Sequence, residues 1–198
     1  MFRLGVTGSI ATGKSTVLQA LADFGARVFS ADAAVHELYA GPAVAAVESL
    51  FPGVVINGAV DRALLAAAIS AAPHRLAELE ALIHPLVRAR IGAFMDAAEA
   101  EGVTIVAVEV PLLFESGYNY GFDAVAVTVC DAAAQRDRAL ARPGMTVEKL
   151  KTILARQMPQ AEKRKRADFI IDTTGPIEET RRMVKSIASD IQARQAQQ

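Results

Sequence analysis

Lys14 and Ser15, set directly behind Gly13, are the residue types that hold a phosphate chain. They close the stretch Gly8-Ser9-Ile10-Ala11-Thr12-Gly13-Lys14-Ser15-Thr16, which fits G-x-x-x-x-G-K-[S/T]. A glycine-bearing loop of this kind turns backbone N–H groups inward as an anion nest, and a helix starting there adds partial positive charge. Lys14 is then placed to reach β- and γ-phosphates, and the Ser15 hydroxyl to ligate Mg2+. The ordinary alternative is a glycine turn with an exposed lysine beside a helix cap. The flanks argue against it. Residues 2–7 read as a short apolar strand, and Val17, Leu18, Leu21 and Phe24 recur at helical spacing until Gly25.

Two acids stand where such a loop needs them. Residues 26–32 read as a second strand ending in Asp32, and ligands bind beyond the carboxyl ends of parallel strands. Asp32 can take a proton from a substrate hydroxyl or hold a metal's water shell, and it also suits a helix N-cap. The near-continuous apolar run 103–108 is the pattern of a strand buried on both faces, and Glu109 at its end holds the position of a metal-organising acid. Leu112, Leu113 and Phe114 follow at once, either as core or as an apolar wall for an acceptor.

The remaining elements position these groups. From Pro42 to about Gly102 the chain reads as alanine-rich helix, with turns near Pro52-Gly53 and Asn57-Gly58. Asp61 is placed to cap a helix presenting Arg62. A helical stripe crosses His84-Pro85, where the proline predicts a kink or a junction between helices. His84 is either structural or a ligand contact. Strands are expected at 122–129 and 167–172, and helices around Gln135–Arg142, at 147–158 and at 177–191, with a Gln-rich end expected to fray.

Composition bounds the class. The chain has 198 residues, 52% of them hydrophobic, enough for an α/β domain with a sizeable core. No apolar run approaches a membrane span, and no export signal is expected. The lone Cys130, at the end of a strand, is expected to be a buried thiol in a reducing cytoplasm. Net charge is −1, yet Gln135 to Arg166 holds ten Lys/Arg against three Asp/Glu, a local excess of seven positive charges. A basic segment in an acidic chain points to a local anion partner rather than to nucleic acid. A lid delivering arginines over a triphosphate fits, with Arg138 and Arg142 favoured over the run Lys163-Arg164-Lys165-Arg166.

The whole constellation resembles the dephospho-coenzyme A kinases of the P-loop, nucleoside-monophosphate-kinase-like group. The resemblance rests on Gly8 to Thr16; Asp32; Asp61-Arg62 with Leu65; Leu79-Glu80 and His84-Pro85; Pro111-Leu112-Leu113-Phe114-Glu115; Gln135, Arg138 and Arg142; Gln157; and Ala167-Asp168 with Ile171-Asp172. It implies an α/β three-layer P-loop kinase fold: a five-stranded parallel sheet in a core (1–32, 103–134, 167–198), a helical acceptor-binding region (33–102) and a lid (135–166). It implies transfer of the ATP γ-phosphate to the ribose 3′-hydroxyl of dephospho-CoA, with Mg2+, in the cytoplasm and without nucleic-acid or membrane partners. Gly8, Ala11, Thr12, Gly13, Lys14, Ser15 and Thr16 would then bind ATP with Arg138 and Arg142. Asp32, Lys14 and Arg142 would carry catalysis. Asp32, Arg62, His84, Leu113, Phe114 and Glu115 would line the acceptor, and Ser15 with Glu109 would hold the metal. The chain departs from the family pattern at Glu109, where many members carry Asp, and at Thr173, where Asn is common.

Two rivals share parts of this pattern. Kinases of nucleoside monophosphates, shikimate or gluconate use the same phosphate chemistry, but the apolar Leu-Leu-Phe stretch suits a long acceptor better than a small polar one. A nucleotide-operated switch is the other, and a guanine-reading Asn-Lys-x-Asp segment is missing from the sequence.

Overall fold

A computed structural model of the protein describes residues 1–195; the expected fraying of the last glutamines falls in part on residues outside these. In chain order the elements are β1 (Phe2–Gly8), α1 (Lys14–Asp23), β2 (Arg27–Ser30), α2 (Ala31–Tyr39), α3 (Val44–Leu50), β3 (Val55–Ile56), β4 (Ala59–Val60), α4 (Arg62–Ala71) and a 3-10 turn (Pro73–Arg75). There follow α5 (Leu76–Ala100), β5 (Ile105–Glu109), α6 (Leu113–Ser116), β6 (Ala124–Val129), α7 (Ala132–Leu140), α8 (Val147–Arg156), α9 (Gln160–Lys165), β7 (Phe169–Asp172) and α10 (Ile177–Gln195). The chain divides into two units, Ala31–Phe94 and the remainder.

The larger unit is built on a five-stranded sheet of order β2-β5-β1-β6-β7. Every pairing is parallel, with Phe2 opposite Ile105, Leu4 opposite Ala124, Ser30 opposite Glu109 and Val129 opposite Asp172. β5 is buried at all five positions, as a strand covered on both faces requires. On one face Val17, Leu18 and Leu21 of α1 and Val184, Ala188 and Ile191 of α10 pack against Leu4, Val6, Ile105 and Ala107. Because all five strands run the same way, their carboxyl ends line one edge. Gly8, Ser30, Glu109, Val129 and Asp172 therefore converge there.

The smaller unit is helical except for one short hairpin. Asn57 and Gly58 both have positive φ (51° and 80°), and they turn β3 back onto β4 with Val55 opposite Val60. This hairpin corrects the purely helical reading of 42–102: Asn-Gly is a hairpin signal as much as a helix terminator. Asp61 caps α4 as expected, its carboxylate accepting the N–H groups of Ala63 and Leu64. Pro85 lies inside α5, which continues as one helix from Leu76 to Ala100, so no junction forms there. Ile83, Val87 and Ile91 keep that stretch buried on one stripe, so packing outweighs the hydrogen bond that proline removes.

Several boundaries also move. β2 stops at Ser30, and Asp32 belongs to the first turn of α2 rather than to the strand. The stretch Leu113–Ser116 is a helical turn, with Leu113 buried and Leu112 exposed. Lys163 to Lys165 belong to α9, which the reading of a bare basic run missed.

Candidate active site

The glycine loop leaves β1 at Gly8 and enters α1 at Lys14, and its shape follows from close contacts. A Cβ added at Gly8 would stand 2.1 Å from Thr128 Oγ1 and 2.6 Å from Thr12 Oγ1, so only glycine fits. Thr12 and Thr128 are fully buried; their hydroxyls lie 2.7 Å apart, and Thr12 Oγ1 donates to Ser9 O at 2.8 Å. Gly13 has φ of 80° and is the N-cap of α1, and no side chain caps that helix end. Its first N–H groups therefore face outward from a loop that ends in a helix start, the arrangement that binds anions. Lys14 Nζ folds back over the loop, donating to Gly8 O at 3.1 Å and Ser9 O at 3.0 Å.

Two glutamines grip this loop from the neighbouring helices, and a third braces one of them. Ile10 gives its N–H to Gln157 Oε1 at 2.9 Å, and its carbonyl accepts from Gln135 Nε2 at 2.8 Å. Gln160 Nε2 donates to Gln135 Oε1 at 3.1 Å, and Gln160 Oε1 accepts the Cys130 N–H at 3.0 Å. The Ile10 side chain packs with Ala11, Ala139 and Leu150, so α7 and α8 are seated on the loop through apolar as well as polar contacts. The resemblance singles out Gln135 and Gln157, but no local pattern in the sequence shows that either amide bonds to the backbone of Ile10.

Arg138 spans from α7 to the chain beyond β7, donating Nη1 to Thr173 Oγ1 at 3.1 Å and Nη2 to Thr173 O at 2.6 Å. The Thr173 hydroxyl lies 3.1 Å from Thr12 O, and a Cβ at Gly13 would come within 3.0 Å of it. Threonine thus serves here as a packing post for the loop. Arg142 is exposed, past the end of α7. Cys130 is buried and its thiol is pushed up, first by burial and against the pull of Arg138.

At the end of β5, the Glu109 carboxylate is buried and its Oε2 accepts from Ser30 Oγ at 2.7 Å. Ser15 is exposed on the first turn of α1. Among the described residues no group of three or more His, Cys, Asp or Glu could hold a metal. A hydroxyl and a carboxylate are hard oxygen donors, and a cation that takes the rest of its shell from water and phosphate, as Mg2+ does, fits that sparse set.

Leu113, Phe114 and Glu115 follow Glu109 closely. Leu113 is buried; Phe114 lies 5.8 Å from the Arg166 guanidinium and borders a cavity of about 330 Å³ with Tyr118, Tyr120 and Phe122. The Glu115 carboxylate receives Lys163 Nζ at 2.9 Å and the Met158 N–H at 2.7 Å. Lys163 was grouped in the sequence with three solvated cations, yet its side chain is fully buried while Arg164, Lys165 and Arg166 are exposed. Sequence alone does not separate it from its neighbours, because the partner carboxylate lies 48 positions away.

In the smaller unit, Arg62 and His84 come together. With Tyr39 and Glu80 they edge a second cavity of about 330 Å³, whose wall is Leu65, Ile69, Leu79 and Ile83. The Tyr39 phenol is pushed above its ordinary value by burial, with Arg62 pulling the other way. Apolar walls with a few convergent polar groups are what a small-molecule site offers. Asp32 is exposed on α2.

A parallel sheet of order β2-β5-β1-β6-β7 with this loop behind its central strand defines a P-loop kinase. The family model described as dephospho-CoA kinase matches residues 2–179, and the chain belongs to that family. It is 47% identical over 193 residues to the dephospho-CoA kinase of Rhizobium meliloti, covering 98% of this chain and all of that one. Among solved structures, a Thermus thermophilus protein aligns with a TM-score of 0.80 at 33% identity, covering 96% of this chain and 97% of that one. The Campylobacter jejuni dephospho-CoA kinase aligns at 0.67 with 27% identity, covering 96% of each.

Proposed function

We propose that this protein transfers the γ-phosphate of ATP to the ribose 3′-hydroxyl of dephospho-CoA, giving CoA and ADP. The observation that carries the reading is the glycine loop: a helix start without a side-chain cap, an ammonium over it and a glycine packed too tightly to be replaced. Family membership selects the acceptor, and the apolar stretch Leu113-Phe114 supports a long one.

The residue roles follow from chemistry. The backbone of Ala11, Thr12, Gly13 and the start of α1, with Thr16, cradles the triphosphate, while Lys14 exchanges the carbonyls of Gly8 and Ser9 for phosphate oxygens. The Asp32 carboxylate accepts the 3′-hydroxyl proton as the oxygen forms its bond to the γ-phosphorus. The bond from that phosphorus to the bridging oxygen breaks, and ADP leaves with the electron pair. Support for Asp32 comes from the chain: it follows by two residues the end of β2, whose Ser30 already touches Glu109. Ser15 and Glu109 would hold Mg2+, which when bound neutralises charge on the β- and γ-phosphates. Arg142 meets the transferring phosphoryl group, and Arg138 braces the loop through Thr173 while its remaining N–H groups serve ATP. Arg62 and His84, with Glu115 and its neighbours, line the acceptor. A cytoplasmic site of action suits both substrates, and among the described residues no helix is long and apolar enough to cross a membrane.

The test is a coupled ADP-release assay with dephospho-CoA, shikimate and gluconate as acceptors. Dephospho-CoA is expected to be the one phosphorylated, with loss of turnover and retention of ATP binding in Asp32→Asn. Turnover with a small polar acceptor instead, or near-normal turnover in that variant, refutes the acceptor or the base assignment respectively.

A further inference from the structure

The segment Gln157-Met158-Pro159, which joins α8 to α9, is bonded to two different loops at successive residues. Gln157 Oε1 takes the Ile10 N–H of the glycine loop at 2.9 Å, and the Met158 N–H donates to Glu115 Oε1 at 2.7 Å. From α9, Lys163 Nζ reaches Glu115 Oε1 at 2.9 Å, Glu115 Oε2 at 3.1 Å and Pro111 O at 3.3 Å. The ammonium also lies 5.9 Å from the Phe114 ring centroid. Pro111 and Glu115 are the two ends of the stretch Pro111-Leu112-Leu113-Phe114-Glu115, so one cation fastens both.

Stability alone does not call for this arrangement. The Lys163 side chain is fully buried and that of Glu115 is 17% exposed. Removing an ammonium from water is so unfavourable that apolar residues of similar volume usually stabilise such a position as well or better. What the ion pair adds is direction: three donors on one nitrogen fix the positions of the groups that receive them.

We propose that Lys163 is a positioning residue for the acceptor. Acting through Pro111 and Glu115, it sets where the Leu113-Phe114 wall stands relative to the glycine loop, which the same joint holds through Gln157. The inference rests on the reading of the chain as a dephospho-CoA kinase whose acceptor runs along this stretch.

The test measures KM for ATP and for dephospho-CoA, with kcat and melting temperature, in wild type, Lys163→Met and Lys163→Arg, assayed well below each melting point. The expected result for Lys163→Met is a rise in the acceptor KM on the order of tenfold, with the ATP KM within about twofold; tenfold corresponds to about 1.4 kcal/mol. Lys163→Arg keeps the charge and is expected to recover part of the acceptor KM. If Lys163→Met does not fold, Lys163→Arg decides: the larger planar guanidinium cannot place its nitrogens where the single buried Nζ meets Glu115 and Pro111, so Glu115 and Pro111 must shift, and an acceptor KM equal to wild type refutes the proposal. So does a folded Lys163→Met with unchanged acceptor KM, or an equal rise in both KM values. A wild-type protein inactive on dephospho-CoA refutes the kinase reading itself, whereas an active one with those variant results refutes only the role of Lys163.

Discussion

Replacing Gly8 by alanine puts one methyl group against three atoms that cannot yield cheaply. The new carbon would stand 2.1 Å from Thr128 Oγ1, 2.6 Å from Thr12 Oγ1 and 2.7 Å from Thr128 O. The last is backbone of the neighbouring strand, and both hydroxyls are buried and bonded to each other at 2.7 Å. Making room means parting that pair and pushing the loop off β6. A buried hydroxyl left unpaired costs about 1–3 kcal/mol and overpacking about as much again, so roughly 2–6 kcal/mol in all. For a chain of this size each kcal/mol lowers the melting temperature by about 2–4 °C, which puts the expected fall at about 5 °C or more. ATP affinity is expected to fall with it, because the displaced amides are those that face phosphate. Gly92 is the internal control. It lies inside α5 with nothing within 4 Å of an added Cβ, so alanine there is expected to stabilise by about 0.5–1 kcal/mol. The assay is thermal melting with and without a non-hydrolysable ATP analogue. A Gly8→Ala protein that melts within 2 °C of wild type and keeps its analogue-induced shift refutes the reasoning.

Other consequences are as direct. Gln157→Leu removes the partner of the Ile10 N–H; a net hydrogen bond of about 1 kcal/mol is at stake, and the ATP KM is expected to rise by up to about fivefold, read by steady-state kinetics. Cys130, with its thiol pushed up by burial, is expected to react with a thiol reagent at neutral pH on the order of a hundredfold more slowly in the native protein than in denaturant, followed by mass spectrometry. Asp172 is held below the usual carboxylate value, first by the Thr174 hydroxyl and then by the Thr174 backbone. Its contribution is present above the unfolded value of 3.8 and is lost as pH falls through the lower folded value. Asp172→Asn is therefore expected to flatten the fall in stability on acidification below about pH 4, measured as urea midpoints.

The parts of this protein written in local pattern were legible. β1, the glycine loop and α1 follow one another with their signals in sequence order, and β5 announces itself as an unbroken apolar run ending in Glu109. The Asp61 cap needed only its own neighbours. What escaped was set by distant partners. Lys163 reads as one of four cations in a basic run until Glu115 comes to meet it, and Gln135 and Gln157, which the resemblance singles out, have no legible contact until Ile10 is found between them. Pro85 allowed a kink or a junction, and the junction is the part that fails: Ile83, Val87 and Ile91 hold α5 together across it. The resemblance named Thr173 as a departure, and the packing of Gly13 and Arg138 against it gives that threonine a physical role.

The order of strands also governs when this chain can fold on the ribosome. β1 is made before every other strand and stands in the middle of the finished sheet, and its neighbours are Ile105 and the residues beyond it on one side and Ala124 onward on the other. At about 5–20 residues per second, the nascent protein waits roughly 5–20 s after β1 before either of its flanks exists. During that interval the apolar residues Phe2, Leu4 and Val6 lack their native shelter, and chaperone contact is expected to concentrate there in the seconds after β1 emerges.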